Sequence, residues 1–136
     1  MSENIILRRK PYAPLVIERD GALIYYLFVE SGFASFFVEF PLSHEHYQVL
    51  SEDEERYYFL FSALHHPFQL AQTRLSAEEV TRYFSLILLA GKAEVEAFLT
   101  EKDRESKGAI SNLVHLFLDR NDREMREGKW FCQIPA

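Results

Sequence analysis

The feature that most constrains this chain is residues 43–67, SHEHYQVLSEDEERYYFLFSALHHP, which combine a helix start, a dense acid cluster and a helix stop. Ser51 is predicted to be the N-cap, with Glu54 reaching back to its amide in a capping box. The acids here lie where the helix dipole favours negative charge. Because Pro67 cannot continue a helix, we expect this helix to end near His65.

The body of the same helix is apolar on every side, with no polar face after Arg56. A helix that is hydrophobic all round must be buried, so we expect this one to be the central helix of the fold. Its large side chains are Tyr57, Tyr58, Phe59, Leu60, Phe61 and Leu64.

The residues before it are predicted to form an antiparallel β-meander of three or four strands. Asp20-Gly21 supplies the positive φ angles of a two-residue type I′ hairpin turn, and Ser31-Gly32 marks a second turn. Pro41 ends the last strand. The predicted strands are Asn4 to Arg9, Pro14 to Arg19, Ala22 to Val29 and Phe33 to Phe40.

Both faces of the strand from Ala22 to Val29 are apolar. An antiparallel sheet with one wet face should alternate apolar and polar residues. Either helices cover both sides of the sheet, or one face is left for a partner. Internal core is the favoured interpretation, because an exposed apolar patch is a liability in a soluble monomer.

The rest of the chain is predicted to be helical. Ser43 would cap a short turn through Leu50, and Ser76 with Glu79 forms a second capping box. The buried stripe that follows resumes in phase after Gly91, so the pattern fits both a continuous helix and a break there. The other expected features are a stripe of Val80, Tyr83, Phe84, Ile87 and Leu88, a charged connection from Glu101 to Lys107, a last helix around Ile110 to Phe117, a stop at Gly128 and a docked tail containing Trp130 and Phe131, which could form an edge strand.

These elements predict an α+β fold, an N-terminal antiparallel meander followed by a helical part of three or four helices. At 136 residues the chain fits a single domain spanning 1–136, with a length sufficient for a real core. Cys132 is the lone cysteine, and no apolar run approaches the roughly 20 residues of a membrane span. We therefore expect a cytoplasmic protein.

The charge distribution bears on partners. Residues 51–105 carry 6 basic and 11 acidic residues, which argues against direct binding of nucleic acid and favours a basic protein surface. No catalytic residue, cofactor site or metal site is predicted, because the histidine pairs His44/His46 and His65/His66 lack zinc-site spacing, and Cys132 has no nearby base. We do not expect an enzyme.

The acid runs Glu52 to Glu55 and Glu78-Glu79, with Tyr57, Tyr58 and Tyr83 beside them, on a β-meander followed by helices, resemble the bacterial immunity proteins of contact-dependent growth inhibition and related polymorphic toxin systems. That resemblance implies neutralisation of one cognate toxin, often a nuclease with a basic cleft. The residues expected to contact it are Glu52, Asp53, Glu55, Glu78 and Glu79, at the first turn of the central helix and a neighbouring turn. The alternative is a small regulatory or assembly subunit that pairs with itself or another protein through an apolar sheet face.

Overall fold

The computed structural model describes residues 3–10, 13–31, 34–69 and 73–131. In these ranges four strands are followed by six helices, which confirms the α+β class and the order of the two parts. The prediction of three or four helices was too low, because breaks at Asp53, Gly91, Gly108 and Asp119 divide the helical part. None of the helices in these ranges is long and apolar enough to cross a bilayer. The elements are β1 (Glu3–Leu7), β2 (Leu15–Arg19), β3 (Ala22–Ser31), β4 (Ala34–Pro41), α1 (His44–Glu52), α2 (Glu54–Phe68), α3 (Ala77–Leu89), α4 (Lys92–Glu105), α5 (Ala109–Leu118) and α6 (Asp122–Arg126).

The strands form one antiparallel sheet in the order β1-β2-β3-β4. Asp20 and Gly21 have φ angles of 51° and 87°, as a type I′ turn requires, and Arg19 pairs with Ala22 across it. The first predicted turn is therefore confirmed. Of the second turn, Ser31 pairs with Ala34, while Gly32 and Phe33 lie outside the described residues.

The helices cover one face of this sheet, the inner face, which carries the buried β3 side chains Leu23, Tyr25, Leu27 and Val29. On the opposite, outer face, Ile24, Tyr26 and Phe28 are half-buried, and Ile5 and Phe37 are 53% and 52% exposed. The interpretation of both faces as internal core was therefore wrong for the described chain. The helices follow the sheet in the sequence, and they pack against its inner face.

Helix α2 is the central element, as its apolar circumference predicted. Every residue from 57 to 64 is buried, and α2 packs against α1, α3, α4, α5 and β3. The Tyr57 hydroxyl donates to the carbonyl oxygen of Pro14, which ties α2 to the start of β2. An all-apolar helix is stable in water only when neighbours enclose it in this way.

The N-cap of α2 is Asp53, and the predicted cap at Ser51 was wrong. Ser51 belongs to α1, whose own N-cap is Ser43, as expected. Asp53 has extended backbone angles; its N–H donates to the Val49 carbonyl, closing α1, and its side chain accepts from the Arg56 N–H, opening α2. A residue whose backbone N–H closes one helix and whose carboxylate caps the next outcompetes a hydroxyl two residues earlier.

The predicted stop at His65 was also wrong, because α2 continues through Pro67 to Phe68. Pro67 has no N–H, so α2 lacks one backbone hydrogen bond there. Because Pro67 lies in the last turn, no later turn of the helix is weakened. Phe68 is buried, and its ring lies 5.5 Å from that of Phe40 on the sheet. Burial of this ring outweighs the missing hydrogen bond.

The structure shows how helix α3 begins and where it ends. The Ser76 and Glu79 capping box is present with both reciprocal hydrogen bonds, and the predicted stripe is buried. The chain breaks at Gly91 rather than continuing through it. The Arg56 guanidinium donates to the carbonyl oxygens of Ile87 at 3.1 Å and Ala90 at 2.8 Å, so a side chain of α2 satisfies the exposed end of α3.

The charged segment from Glu101 is not a connection up to Lys107, because α4 extends to Glu105. Asp103 within it is 2% exposed, and its carboxylate accepts from the Ser111 N–H at 2.7 Å. Gly108 precedes α5 and has no side chain with which to cap it. Asp103 therefore caps α5 from the preceding helix, a role that its local sequence does not reveal.

The C-terminal tail docks, as expected. Trp130 and Phe131 are buried, and both of their backbone N–H groups donate to the Glu96 carboxylate, at 2.8 and 3.0 Å. Gly128, with φ of 104°, ends the last helical turn. The remaining tail, which includes Cys132 and the proposed edge strand, lies outside the described residues.

We expect Asp53→Ala to lower the free energy of unfolding by about 1 to 2 kcal/mol, because it removes the N-cap of α2 and the partner of Arg56. Ser51→Ala is the matched control and should change it by less than about 0.5 kcal/mol, since Ser51 is exposed within α1. Urea unfolding measures both. Equal losses in the two variants would contradict the cap assignment.

Candidate functional site

Three of the predicted contact residues surround one surface depression at the junction of α1 and α2. This acidic depression has a volume of about 470 Å³. Val49 and Leu88 form its apolar floor. Because the chain breaks between α1 and α2 at Asp53, the acidic side chains are spread around that floor. Its rim consists of Glu52, Asp53, Glu54, Glu55 and Arg56.

The rim acids differ in how far they are committed to the fold. Asp53 caps α2 and pairs with Arg56 at 3.3 Å. Glu55 accepts from the Arg120 guanidinium at 2.6 Å, with both side chains largely covered, so it ties α2 to the segment after α5. Asp53 and Glu55 were predicted to contact another protein, but both carboxylates already bind groups of this chain.

Glu52 and Glu54 are the exposed acids of the rim. A guanidinium nitrogen of Arg9 lies 3.9 Å from a carboxylate oxygen of Glu54, at the outer limit of an ion pair. The Arg9 side chain is mostly covered, whereas that of Glu54 is exposed. Both carboxylates therefore face solvent beside the apolar floor. Glu54 was not among the predicted contacts, because it was assigned to a capping box with Ser51.

Glu78 and Glu79 do not adjoin the acidic depression, which corrects the prediction of a neighbouring turn. Helices α2 and α3 run antiparallel, so the start of α3 lies beside the end of α2, where Glu79 shares a groove with His66 and Pro67. The interval from Glu79 to Leu88 along α3 amounts to roughly 14 Å.

The two acids also differ from each other. Hydrogen bonds from the Ser76 amide and hydroxyl hold the pKa of the Glu79 carboxyl below its usual value. Both residues are exposed, but Glu79 belongs to the capping box of α3 and Glu78 does not.

An apolar pocket of about 400 Å³ lies elsewhere, between the end of β4 and α3, and sequence reasoning missed it. Phe40, Leu42, Val80 and Phe84 line it, with His46 at its edge. The pocket joins residues that are distant in sequence, so no local pattern signals it.

His46 is the titratable group at this pocket. Burial lowers the pKa of its imidazole, and the Glu45 carboxylate opposes that effect more weakly. The Ser85 hydroxyl lies 3.5 Å from its Nε2, at the limit of a hydrogen bond. The arrangement offers a neutral hydrogen-bonding group beside an apolar cavity, without the close contact that activates a nucleophile.

Within the ranges that the structure describes, no three histidine, cysteine or acidic side chains converge on a position that could hold a metal ion. His65 and His66 lie in the last turn of α2, where the helix dipole favours positive charge.

Comparison with known proteins found no matching family model, no similar curated protein and no similar solved structure.

We expect Glu55→Lys to lower the free energy of unfolding by roughly 1 to 3 kcal/mol, because it places a like charge against the covered Arg120 guanidinium. The same change at exposed Glu52 should cost less than about 0.5 kcal/mol. Thermal and urea unfolding compare the two. Equal stability would show that the Glu55 and Arg120 pair contributes nothing measurable.

Stability should fall in mild acid through His46. Well above pH 6.5 the imidazole is neutral in both the folded and the unfolded state, so it adds no pH dependence to stability. As the pH falls below 6.5, the unfolded chain binds the proton first, because the folded-state pKa is lowered, so the native state loses stability. His46→Gln should remove this part of the loss in urea unfolding between pH 7 and 5. The control for charge is His44→Gln, at an exposed position. A His46→Gln variant that loses stability as steeply as the wild type would contradict this account.

Proposed function

We propose that this protein is a cytoplasmic immunity protein, which binds and neutralises a cognate protein toxin with a basic surface. The observation that carries the proposal is the acidic depression, where exposed carboxylates surround an apolar floor. That pairing of chemistries suits a lysine or arginine side chain of a partner. Its aliphatic stem would pack on Val49 and Leu88, while its charged head would meet Glu52 and Glu54.

A basic nuclease domain is the partner class that this chemistry favours. The cleft of such a toxin attracts phosphate groups through its lysines and arginines, and an acidic protein surface competes for the same charges. Neutralisation then requires tight occupation of the cleft or its border rather than any reaction. The low basic content of residues 51–105 supports binding to the toxin and not to its nucleic acid substrate.

The structure sharpens which residues should be tested. Asp53, Glu55 and Glu79 hold helix ends or an ion pair, so their substitution would disturb the fold as well as any interface. Glu52 and Glu54 are exposed, and the Glu54 contact with Arg9 is at the outer limit of an ion pair, so their reversal should cost less stability than that of the other three acids. We therefore assign them the main steering role and retain Glu78 as a separate, more distant contact.

The double variant Glu52→Lys/Glu54→Lys should slow association with the toxin by about tenfold or more at low salt, because opposite charges accelerate encounter. The difference should shrink near 0.5 M salt, where screening is strong. Stopped-flow or surface-based kinetics with the isolated toxin domain measure it. Growth rescue on co-expression with that toxin is the functional readout.

The matched control is Glu101→Lys/Glu127→Lys, which makes the same change in net charge at exposed positions on α4 and after α6. If both double variants slow association equally, overall charge and not the acidic depression governs encounter. If neither wild type nor variants protect cells from the toxin, the immunity assignment is wrong whatever the kinetics.

A second function has its own observation in its favour. The outer sheet face leaves Ile5 and Phe37 exposed beside half-buried Ile24, Tyr26 and Phe28, which suits a regulatory or assembly subunit that pairs through its sheet. If the isolated protein pairs with itself through this outer face, Ile5→Lys should break the dimer in sedimentation, whereas a dimer that survives Ile5→Lys does not support this function.

A further inference from the structure

Strand β4 is the edge of the sheet, and no strand pairs with its far side among the residues that the structure describes. Its inward-pointing side chains are half-buried, whereas the β3 residues that pair with them are fully buried. The half-buried set is Phe36, Val38 and Phe40, and the buried set is Val29, Leu27 and Tyr25. The apolar core is therefore only partly covered along this edge, where the Arg74 guanidinium lies over the Phe36 ring at 4.9 Å and Phe40 contacts the rings of Phe68 and Phe84.

Along the same edge, the backbone of β4 has hydrogen-bonding groups that no other part of the described chain uses. The Leu42 N–H donates to the Leu23 carbonyl at 3.0 Å, which marks that pair as hydrogen-bonded. Bonded and non-bonded pairs alternate along an antiparallel ladder. Phe37 and Glu39 consequently belong to non-bonded pairs with β3, and their N–H and C=O groups point outward.

The opposite edge of the sheet, β1, is protected in ways that β4 is not. β1 has five residues, and its register with β2 shifts between Ile5 and Leu7, an irregularity that discourages further pairing. β4 has eight residues in regular register, with its proline at the last position. Its one charged side chain, Glu39, is held across the outer face by Arg19 at 2.9 Å.

We propose that two copies of this chain pair through their β4 edges, antiparallel and related by a two-fold axis at Phe37, to form one eight-stranded sheet. In this register Phe37 lies opposite Phe37 of the second copy, and Glu39 lies opposite Ser35 of the second copy. The outward backbone groups then form roughly six intermolecular hydrogen bonds. This inference is independent of the proposed immunity function.

Side-chain chemistry favours that register over those with the axis shifted toward Pro41. A two-fold axis at Glu39 would place two carboxylates opposite each other, which is destabilising. An axis at Val38 would place Pro41, which has no N–H, in a hydrogen-bonded pair. The axis at Phe37 avoids both problems and pairs Phe36 with Val38 of the second copy on the inner side.

The same arrangement also brings aromatic side chains together on the outer face. The Phe37 ring already stacks on Tyr26 with centroids 4.4 Å apart and meets Phe28 at 5.2 Å. Two such clusters would meet at the axis as one aromatic band. A second copy is the occupant that the edge specifies, because the strand is complementary to itself in hydrogen bonding, charge and apolar pattern.

Sedimentation velocity on the wild-type protein over 1 to 100 μM tests the proposal, and we expect a dimer in this range. Phe37→Lys should weaken it at least about tenfold, because two ammonium groups would face each other at the axis. Ile5→Lys is the matched control, since Ile5 has the same exposure on the same face but lies on β1. It should leave the dimer intact.

Amide hydrogen exchange gives a readout that does not depend on a variant folding. The Phe37 and Glu39 amides should exchange more slowly as the wild-type concentration rises, and the Asn4 and Ile5 amides should not. A monomer at 100 μM would overturn the proposal. Equal loss of the dimer in Phe37→Lys and Ile5→Lys, without concentration-dependent protection of β4, would overturn it in favour of face-to-face packing.

Discussion

Enclosure of helix α2 is the constraint on which the rest of this structure depends. Its residues from 57 to 64 are all buried, so every side of the helix needs a neighbour. The sheet covers one side, and α1, α3, α4 and α5 cover the others. Because α2 uses the inner face of the sheet and the helices that surround it, the outer face of the sheet is left without helical cover among the described residues.

Several charged residues whose side chains could bind a ligand instead form hydrogen bonds within the fold around α2. Arg56 holds the end of α3, Asp103 caps α5, and the Glu96 carboxylate fixes the backbone of the tail. Each charge satisfies backbone groups that a helix end or the tail would otherwise leave without a partner near the core. Of the acids around the depression, Glu52 and Glu54 are the exposed ones that remain available to a partner.

Much of the fold followed from local patterns, and the site followed only in part. The type I′ turn, the Ser76 and Glu79 box and the stripe of α3 depend on residues close in sequence, so their signals could be read directly. The cap at Asp53 and the continuation past Pro67 depended on competition between neighbouring signals. The separation of Glu79 from the acidic depression depended on the antiparallel packing of α2 and α3, which no local pattern specifies.

By itself the sequence determined the class of fold, the central place of α2 and the concentration of negative charge, since these follow from hydrophobic periodicity, turn chemistry and composition. Tertiary structure alone decided which sheet face is covered, which acids are committed to helix ends, and where distant residues form the pocket beside His46. The physical reason is that burial and hydrogen-bond satisfaction are properties of packed surfaces. A side chain's local signal is the same whether its partner is solvent, a helix end or another chain.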